Sequence, residues 1–254
     1  MLSRLMLTMV FVSACTMTFS FSKKSPRLLV FSRTTVFRHA SIADGKIALL
    51  KMGMEQGFEI DTTEDAGWFT EERLKQYAAV IFLSTTGDVL NESQQADFER
   101  YIQAGGAYVG IHAAADTEYD WGWYGKLAGA YFSSHPKIQT ATLIVSDQQH
   151  ISTKHLPSEW KRTDEWYNFK DMSKDVQVLM RLDEKSYEGG KNGNDHPIAW
   201  YHTYDGGRAF YTGLGHTPAS WTEENFLKHV LGGIQYAIGK NKKPDYKKAT
   251  TKRL

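Results

Sequence analysis

The strongest constraint on the fold is an alternation of apolar runs and amphipathic segments between residues 27 and 111. Short runs rich in Val, Leu, Ile and Phe predict buried strands, and the longer segments between them predict helices. Strands that alternate with helices form a parallel sheet covered on both faces, so the sequence predicts an α/β protein. The predicted strands are 27–32, 58–61, 78–83 and 107–111, and the predicted helices are 41–56, 70–76 and 91–103.

The second half of the chain is less regular, but no linker rich in Pro or Ser interrupts it. We therefore expect one domain over residues 27–239, between a leader (1–26) and a tail (240–254). The further predicted elements are a long aromatic loop over 116–134 with a short helix at 123–127, strands at 140–146 and 176–182, a hairpin of 197–202 with 208–212, and a closing helix over 222–239.

The leader indicates where the protein is located. Arg4 precedes an apolar run over residues 5–14, which is too short to span a membrane. The sequence Val12-Ser-Ala-Cys15 resembles a bacterial lipobox, which predicts an exported, periplasmic or outer-membrane-anchored lipoprotein with a lipid on Cys15. The alternative is an ordinary cleaved secretory signal. Cys15 is the only cysteine, so the domain has neither an internal disulfide nor a thiol nucleophile.

The charge pattern excludes some classes of partner. Lys240 to Leu254 carries seven basic side chains against one Asp, which predicts a solvated, disordered tail. The remaining domain is acidic, which argues against nucleic-acid binding. The glycine pair at 105–106 is followed by no Gly-x-x-x-x-Gly-Lys, so it is interpreted as a helix stop and no nucleotide cofactor is expected. Both a monomer and a homo-oligomer fit the sequence.

Three of the nine histidines follow predicted strands, namely His39, His112 and His216. Chemistry collects at the carboxyl ends of parallel strands, so we expect these imidazoles to share one pocket. Three imidazoles with an open position can hold a catalytic zinc or a similar divalent ion. In the alternative, the same side chains bond to substrate hydroxyls or loop carbonyls. A short-range metal motif such as His-Glu-x-x-His is absent.

Two carboxylates, Asp116 and Glu165, lie in segments rich in Trp and Tyr. Aromatic neighbours desolvate a carboxylate and raise its pKa, which suits general acid or base catalysis. Aromatic rings also stack on the C–H faces of sugars, so a small carbohydrate is the expected partner. In the alternative, the aromatics fill the core and the carboxylates cap helices. The candidate substrate-binding residues are His39, Trp121, Tyr124, His135, Trp166, Tyr167, Asp195 and His196.

A set of motifs in order resembles the ThuA-like (trehalose utilisation) family. The motifs are residues 30–39, 105–116, 119–124, 164–167, 195–197 and 213–217. The resemblance implies a flavodoxin-like, class I glutamine amidotransferase-like three-layer sandwich with a mostly parallel sheet. The amidotransferases place a nucleophilic Cys at the elbow after strand four. Here that elbow is Gly110-Ile-His-Ala-Ala114, so glutaminase chemistry is excluded.

The resemblance also implies a role in disaccharide use, alongside oxidoreductases that make 3-keto sugars. A keto group acidifies the adjacent C–H, so a base can start elimination of the glycosidic oxygen or migration of the carbonyl. We expect Asp116 or Glu165 to serve as base and acid, while His112 and His216 hold the enolate oxygen, through a divalent metal ion where one is bound. The competing hypothesis is a non-catalytic carbohydrate-binding lipoprotein that depends on Trp121 and Trp166.

Overall fold

The structure is a computed structural model that describes residues 25–240 and 243–253. The expected lipobox and Cys15 lie outside the described residues, so export and the lipid anchor stay predictions. Among the residues described, no helix has the length and apolar character that crossing a membrane requires.

A nine-stranded mixed sheet forms the centre of the molecule, with the strand order β2-β1-β3-β4-β11-β10-β9-β6-β7. The strands are β1 (Arg27–Phe31), β2 (Glu59–Thr63), β3 (Ala79–Leu83), β4 (Ala107–Ile111), β5 (Tyr131–Ser134), β6 (Gln139–Val145), β7 (Glu159–Asp164), β8 (Asn168–Lys170), β9 (Gln177–Asp183), β10 (Pro197–Tyr204) and β11 (Gly207–Thr212). The helices are α1 (Ile42–Gln56), α2 (Glu71–Leu74), α3 (Glu92–Gln103), α4 (Gly122–Ala128) and α5 (Glu224–Ile238).

The sheet has two halves of different construction. In the parallel half, β2, β1, β3, β4 and β11 all run in the same direction. In the antiparallel half, β10, β9, β6 and β7 add to β11 one after another in alternating directions. The predicted hairpin is confirmed as the β10–β11 pair. Strands β5 and β8 form a small separate sheet.

Helices cover both faces of the parallel half. Successive side chains of a strand point to opposite faces. Accordingly, Phe82 packs against Phe98 of α3 and Tyr124 of α4, while the next residue, Leu83, faces Gly45 of α1. Helix α5 lies next to α1, and the two border one groove. The predicted three-layer α/β sandwich is confirmed.

Three strands that the sequence patterns did not predict are β5, β7 and β8. In β7, Trp160, Arg162 and Asp164 are buried and the residues between them are exposed. The alternation is that of a half-buried strand, but two of the three inward side chains are charged, so an apolar pattern does not reveal it.

The antiparallel half must curl strongly. Three strands separate β7 from β11, which in a flat sheet is a distance of roughly 19 Å. Even so, the Asp164 carboxylate at the end of β7 accepts a 2.9 Å hydrogen bond from the backbone N–H of Gly215, just after β11. The curl therefore brings the end of β7 back to the carboxyl ends of the parallel strands.

The described part of the tail, residues 243–253, lies along α3, which differs from the expected disorder. The Gln103 Oε1 atom accepts N–H bonds from Thr250 at 2.8 Å and from Thr251 at 2.9 Å. The Thr251 hydroxyl donates to Glu99 Oε2 at 2.7 Å. Polar side chains of α3 hold the tail through its backbone, an arrangement that a charge count does not reveal.

Candidate active site

Four side chains from distant parts of the chain converge on one point: His39, His112, Glu165 and His216. One candidate ligand atom from each lies within 4.8 Å of the others. His39 follows β1, His112 follows β4 and His216 follows β11, as the strand-end argument requires. Glu165 joins them from the antiparallel half, directly after β7.

His112 occupies the elbow after β4 in a left-handed backbone conformation with φ 51°. Such a conformation costs a non-glycine residue on the order of 1–3 kcal/mol, and it persists where the surroundings enforce it. The ring is fully buried, and its Nδ1 lies 2.9 Å from the backbone carbonyl of Gly213. Because a carbonyl only accepts, Nδ1 carries the proton and Nε2 presents its lone pair.

The lone pair of His112 Nε2 points into the cluster. This atom lies 3.0 Å from Nδ1 of His216 and 3.4 Å from Oε2 of Glu165. The Oε2 atom of Glu165 is in turn 3.1 Å from His216 Nδ1. Three atoms that could each bind a metal ion therefore form a small triangle.

His39 completes the cluster from the side of β1. Its ring packs nearly perpendicular to the rings of His112 and His216, with centroids 4.8 and 5.1 Å away. Its Nδ1 is buried without a hydrogen-bond partner among the described residues. Burial, together with the neighbouring imidazoles of His112 and His216, lowers the pKa of His39 to about 3. His39 is therefore neutral at physiological pH and offers a lone pair.

Glu165 is held as an anion by the surrounding histidines. Burial alone raises the pKa of this carboxyl, but the neighbouring imidazoles of His112 and His216 outweigh burial and lower the pKa well below its usual range. Its second oxygen, Oε1, lies 3.0 Å from Nδ1 of His135. The expectation that Trp and Tyr neighbours raise the pKa of Glu165 is therefore wrong, because histidine side chains, and not Trp or Tyr rings, contact its oxygens.

For Asp116 the expectation of a raised pKa holds. Burial raises the pKa of this half-buried carboxyl, partly opposed by a hydrogen bond from Tyr119. The Tyr119 hydroxyl donates to Asp116 Oδ1 at 2.6 Å. Asp116 also lies close enough to the cluster for the charges of His112 and Glu165 to act on its pKa. A carboxyl that keeps its proton to higher pH beside a buried anion can carry out acid–base chemistry.

Asp164 holds Glu165 and His216 in place through their backbones. One carboxylate oxygen accepts N–H bonds from Glu165 at 3.0 Å and His216 at 3.2 Å, and the other accepts from Gly215 at 2.9 Å. Asp164 is fully buried and forms a 2.7 Å ion pair with Arg162. One carboxylate thus links the end of β7 to the segment after β11 and orients two members of the cluster.

Three of the other predicted residues lie at or behind the cluster. The ring of Tyr167 packs on that of His112 with centroids 4.3 Å apart, and His135 contacts Glu165. His196 is fully buried and does not reach the cluster. Its Nε2 donates to the backbone carbonyl of Tyr167 at 2.8 Å, so it supports the segment that carries Glu165.

Four of the predicted substrate-binding residues lie elsewhere. Trp166 is fully buried, and its Nε1 donates to the carbonyl of Gln139. Tyr124 is a core residue that bonds to the carbonyl of Ala114. Trp121 stacks on Trp123 and Tyr124 and donates to Glu99, while Asp195 pairs with Arg181 at the surface. The physical reason is that large aromatics serve packing as readily as ligand binding, and composition does not distinguish the two.

The donor set fits a divalent metal ion. Tetrahedral bonds of about 2.0–2.1 Å place the ligand atoms about 3.3 Å from one another. The three separations among the ligand atoms of His112, His216 and Glu165 are 3.0, 3.1 and 3.4 Å, and His39 offers a nitrogen within 4.8 Å of them. Imidazole nitrogens with one carboxylate are a ligand set that zinc and other first-row divalent ions accept.

Two residues at the site were not singled out by the sequence argument. Tyr119 counted only as an aromatic neighbour of Asp116, and Asp164 only as part of a motif. Spacing gives a signal for Tyr119, since a residue three positions after Asp116 returns to the same side of a turn. No local signal reveals the role of Asp164, because the two partners that tie it to the far side of the site, Gly215 and His216, are 51 and 52 residues away.

A family model described as ThuA (trehalose utilisation) matches residues 27–237. Among solved structures, the chain is similar to a ThuA-like protein from Bacteroides uniformis, with 25% identity, a TM-score of 0.74, and coverage of 90% of this chain and 98% of that one. A ThuA-like protein from Parabacteroides merdae has 19% identity, a TM-score of 0.71, and coverage of 91% and 98%.

The fold also extends to more distant proteins. A protein from Thermoplasma acidophilum that is described as belonging to a GMP synthase has 10% identity and a TM-score of 0.53, with 87% of this chain and 97% of that one covered. At this level of identity the likeness shows a common fold alone. No curated protein matches the sequence.

Proposed function

Because the chain belongs to the ThuA (trehalose utilisation) family, we propose that it is a carbohydrate-active enzyme that cleaves or isomerises a glycoside bearing a keto group. The observation that supports this most directly is the cluster of His39, His112, His216 and Glu165 with a carboxyl of raised pKa, Asp116, beside it. One part of this site can stabilise a developing oxyanion, and the other can move a proton.

In the proposed reaction, the substrate carries its carbonyl at C3 and its glycosidic oxygen at C1. Asp116 takes the proton from C2, and the electron pair of the C–H bond forms an enolate whose negative oxygen lies at the cluster. The same electron pair then forms a C1–C2 double bond and expels the glycosidic oxygen. The protonated Asp116 supplies the proton that the departing oxygen requires, so the elimination needs no outside co-reactant.

The cluster would hold a divalent ion through His39, His112, His216 and Glu165. Such an ion supplies a Lewis acid for a carbonyl oxygen. The protein orients the residues that would hold this ion. The Gly213 carbonyl fixes the tautomer of His112, and Asp164 orients Glu165 and His216. Outer partners of this kind usually change metal affinity by about 10–100-fold.

The structure modifies the roles assigned to the two carboxylates. Since three histidines contact Glu165 and its pKa is lowered, we assign it to the cluster and not to proton transfer. Asp116 then serves as both base and acid, and Tyr119 keeps its carboxylate oriented. We further propose that the enzyme acts after export, as a lipoprotein anchored through Cys15; this rests on the lipobox-like sequence alone.

The test is to incubate the purified protein with a 3-keto-disaccharide, before and after removal of metal with a chelator. Metal content is measured by elemental analysis, and each candidate ion is added back separately. We expect release of the leaving sugar by the metal-loaded protein, loss on chelation and recovery with one ion. Absence of turnover by the metal-loaded wild type would reject the proposed reaction.

The comparison of Asp116→Asn with wild type separates an enzyme from a sugar-binding protein. In an enzyme, this variant loses turnover while its affinity for the disaccharide stays nearly unchanged. A protein that only binds carbohydrate shows no turnover in either form.

A further inference from the structure

The loop between β1 and His39 exposes two apolar side chains beside the cluster. Val36 is 77% exposed and Phe37 is 58% exposed. Scattered exposed apolar residues are normal on protein surfaces. Phe37 is different in its position, because its ring lies 4.8 Å from that of His39, nearly perpendicular to it. An exposed aromatic ring therefore packs directly against a candidate metal ligand.

Two hydrogen bonds tie the loop that carries Phe37 to Thr86, in the loop after β3. The Thr35 N–H donates to the carbonyl of Thr86 at 2.9 Å, and the Thr86 hydroxyl donates to the carbonyl of Phe37 at 2.7 Å. The neighbouring Gly87 has φ 71°, and a Cβ there would clash with the side chains of Thr35 and Val36. The close packing of the two loops therefore restrains the position of Phe37.

The opposite side of the cluster also carries rings. His135 contacts Glu165 and its side chain is 44% exposed. Its ring lies 5.8 Å from that of the half-buried Phe132. The cluster thus lies between Phe37 on the β1 side and His135 with Phe132 on the β5 side. Partly exposed rings therefore lie against both His39 and Glu165 of the cluster.

We propose that Phe37 forms a second sugar subsite, which binds the pyranose ring of the leaving group while the keto sugar occupies the cluster. The negative face of an aromatic ring attracts the polarised C–H groups on the flat side of a pyranose. Because the loop is already ordered, stacking on Phe37 requires little additional ordering of the protein. This inference rests on the proposed function for the identity of the ring at the cluster.

The kinetic test compares Phe37→Ala with wild type on two substrates that differ only in the leaving group. One is a 3-keto-disaccharide and the other is the corresponding 3-keto methyl glycoside. We expect Phe37→Ala to raise KM for the disaccharide about 3- to 10-fold, the size of one aromatic stacking contact. The methyl glycoside should be unaffected, because it has no ring to stack.

Val36→Ala is the matched control, since Val36 is the exposed neighbour in the same loop. It should leave KM for both substrates unchanged. Phe37→Trp keeps an aromatic face and should retain the preference for the disaccharide. Metal content equal to that of wild type shows that His39 stays in place in Phe37→Ala. If Phe37→Ala affects both substrates equally, or neither, the subsite is rejected.

A binding experiment separates failure of the subsite from failure of the reaction. Affinity for an ordinary, non-keto disaccharide is measured by calorimetry on the metal-loaded wild type and on Phe37→Ala. Weaker binding by Phe37→Ala without any turnover of keto glycosides rejects the proposed reaction and supports the subsite. Turnover with a disaccharide affinity that is the same in both proteins supports the reaction and rejects the subsite. Neither turnover nor binding by the wild type overturns both.

Discussion

The parallel and antiparallel halves of the sheet contribute different parts of the site. The parallel half supplies three histidines and Asp116 from the carboxyl ends of β1, β4 and β11, an arrangement that follows from its topology. The antiparallel half supplies Glu165, and it reaches the site only because the sheet curls. The comparison teaches that the ends of parallel strands gather the histidines at a predictable edge, whereas the carboxylate among them comes from the antiparallel extension of the sheet.

The sharpest way to break this comparison is Glu165→Gln. If the antiparallel half supplies an essential anion, we expect turnover to fall about 10³-fold or more, since an amide neither balances the charge of a metal ion nor orients the histidines as a carboxylate does. Bound metal should fall in parallel, as measured by elemental analysis. The exposed Glu188→Gln is the control and should behave as wild type. Full activity in Glu165→Gln would show that the antiparallel half only shapes the site.

The contribution of the parallel half is tested with Asp116→Asn. Loss of a general base typically lowers kcat about 10²–10³-fold, and we expect this effect without loss of metal, because Asp116 is not among the cluster ligands. The measurement is kcat together with metal content. Asp120→Asn, an exposed change in the same loop, should leave both unchanged. A parallel loss of metal and kcat in Asp116→Asn would contradict the separation of roles.

The link between the halves is tested with Asp164→Asn. We expect a lower thermal midpoint, because breaking a buried ion pair costs about 3–5 kcal/mol. Metal affinity should also fall about 10–100-fold, since both Glu165 and His216 lose an orienting partner. Titration with a coloured chelator measures that affinity at a temperature where the variant is folded. A destabilised variant with wild-type metal affinity would show that the link serves stability alone.

The smallest expected effect is on pH dependence, in Tyr119→Phe. The hydrogen bond from Tyr119 lowers the pKa of Asp116 against the effect of burial, so its removal should raise that pKa further. Because the base must be deprotonated, the acidic limb of the rate profile should move to higher pH, by about one unit for one hydrogen bond to a charged group. In Asp116→Asn the same limb should be absent. A shift to lower pH would contradict the assignment of Asp116 as base.

The sequence predicted the strands of the parallel half and three of the four antiparallel strands, but it missed β7, the strand that leads to Glu165. Apolar runs reveal buried parallel strands, and topology then places His39, His112 and His216 together. Glu165 was selected because aromatics surround it in the sequence, yet it reaches the site through the curl of the sheet. That curl depends on contacts between residues as distant as Asp164 and Gly215, and no local pattern encodes such contacts.

The aromatic residues show a second limit of sequence-based prediction. Trp121, Tyr124 and Trp166 were expected to bind sugar, but their rings pack against other side chains away from the cluster. Phe37, in contrast, lies beside the site and carried no signal of its own. A sequence shows that large rings are present, whereas only the fold shows which of them have an open face.

The C-terminal segment that lies along α3 has a practical consequence for the loop that carries Asp116 and Tyr119. Thr251 bonds to one oxygen of Glu99, and Trp121 bonds to the other at 3.0 Å. Trp121 directly precedes α4, in the segment that also carries Asp116 and Tyr119. Through Glu99, the C-terminal segment therefore supports the loop that carries the proposed base. We therefore expect a purification tag fused there, or proteolytic trimming of this segment, to alter turnover although no residue of the cluster is changed.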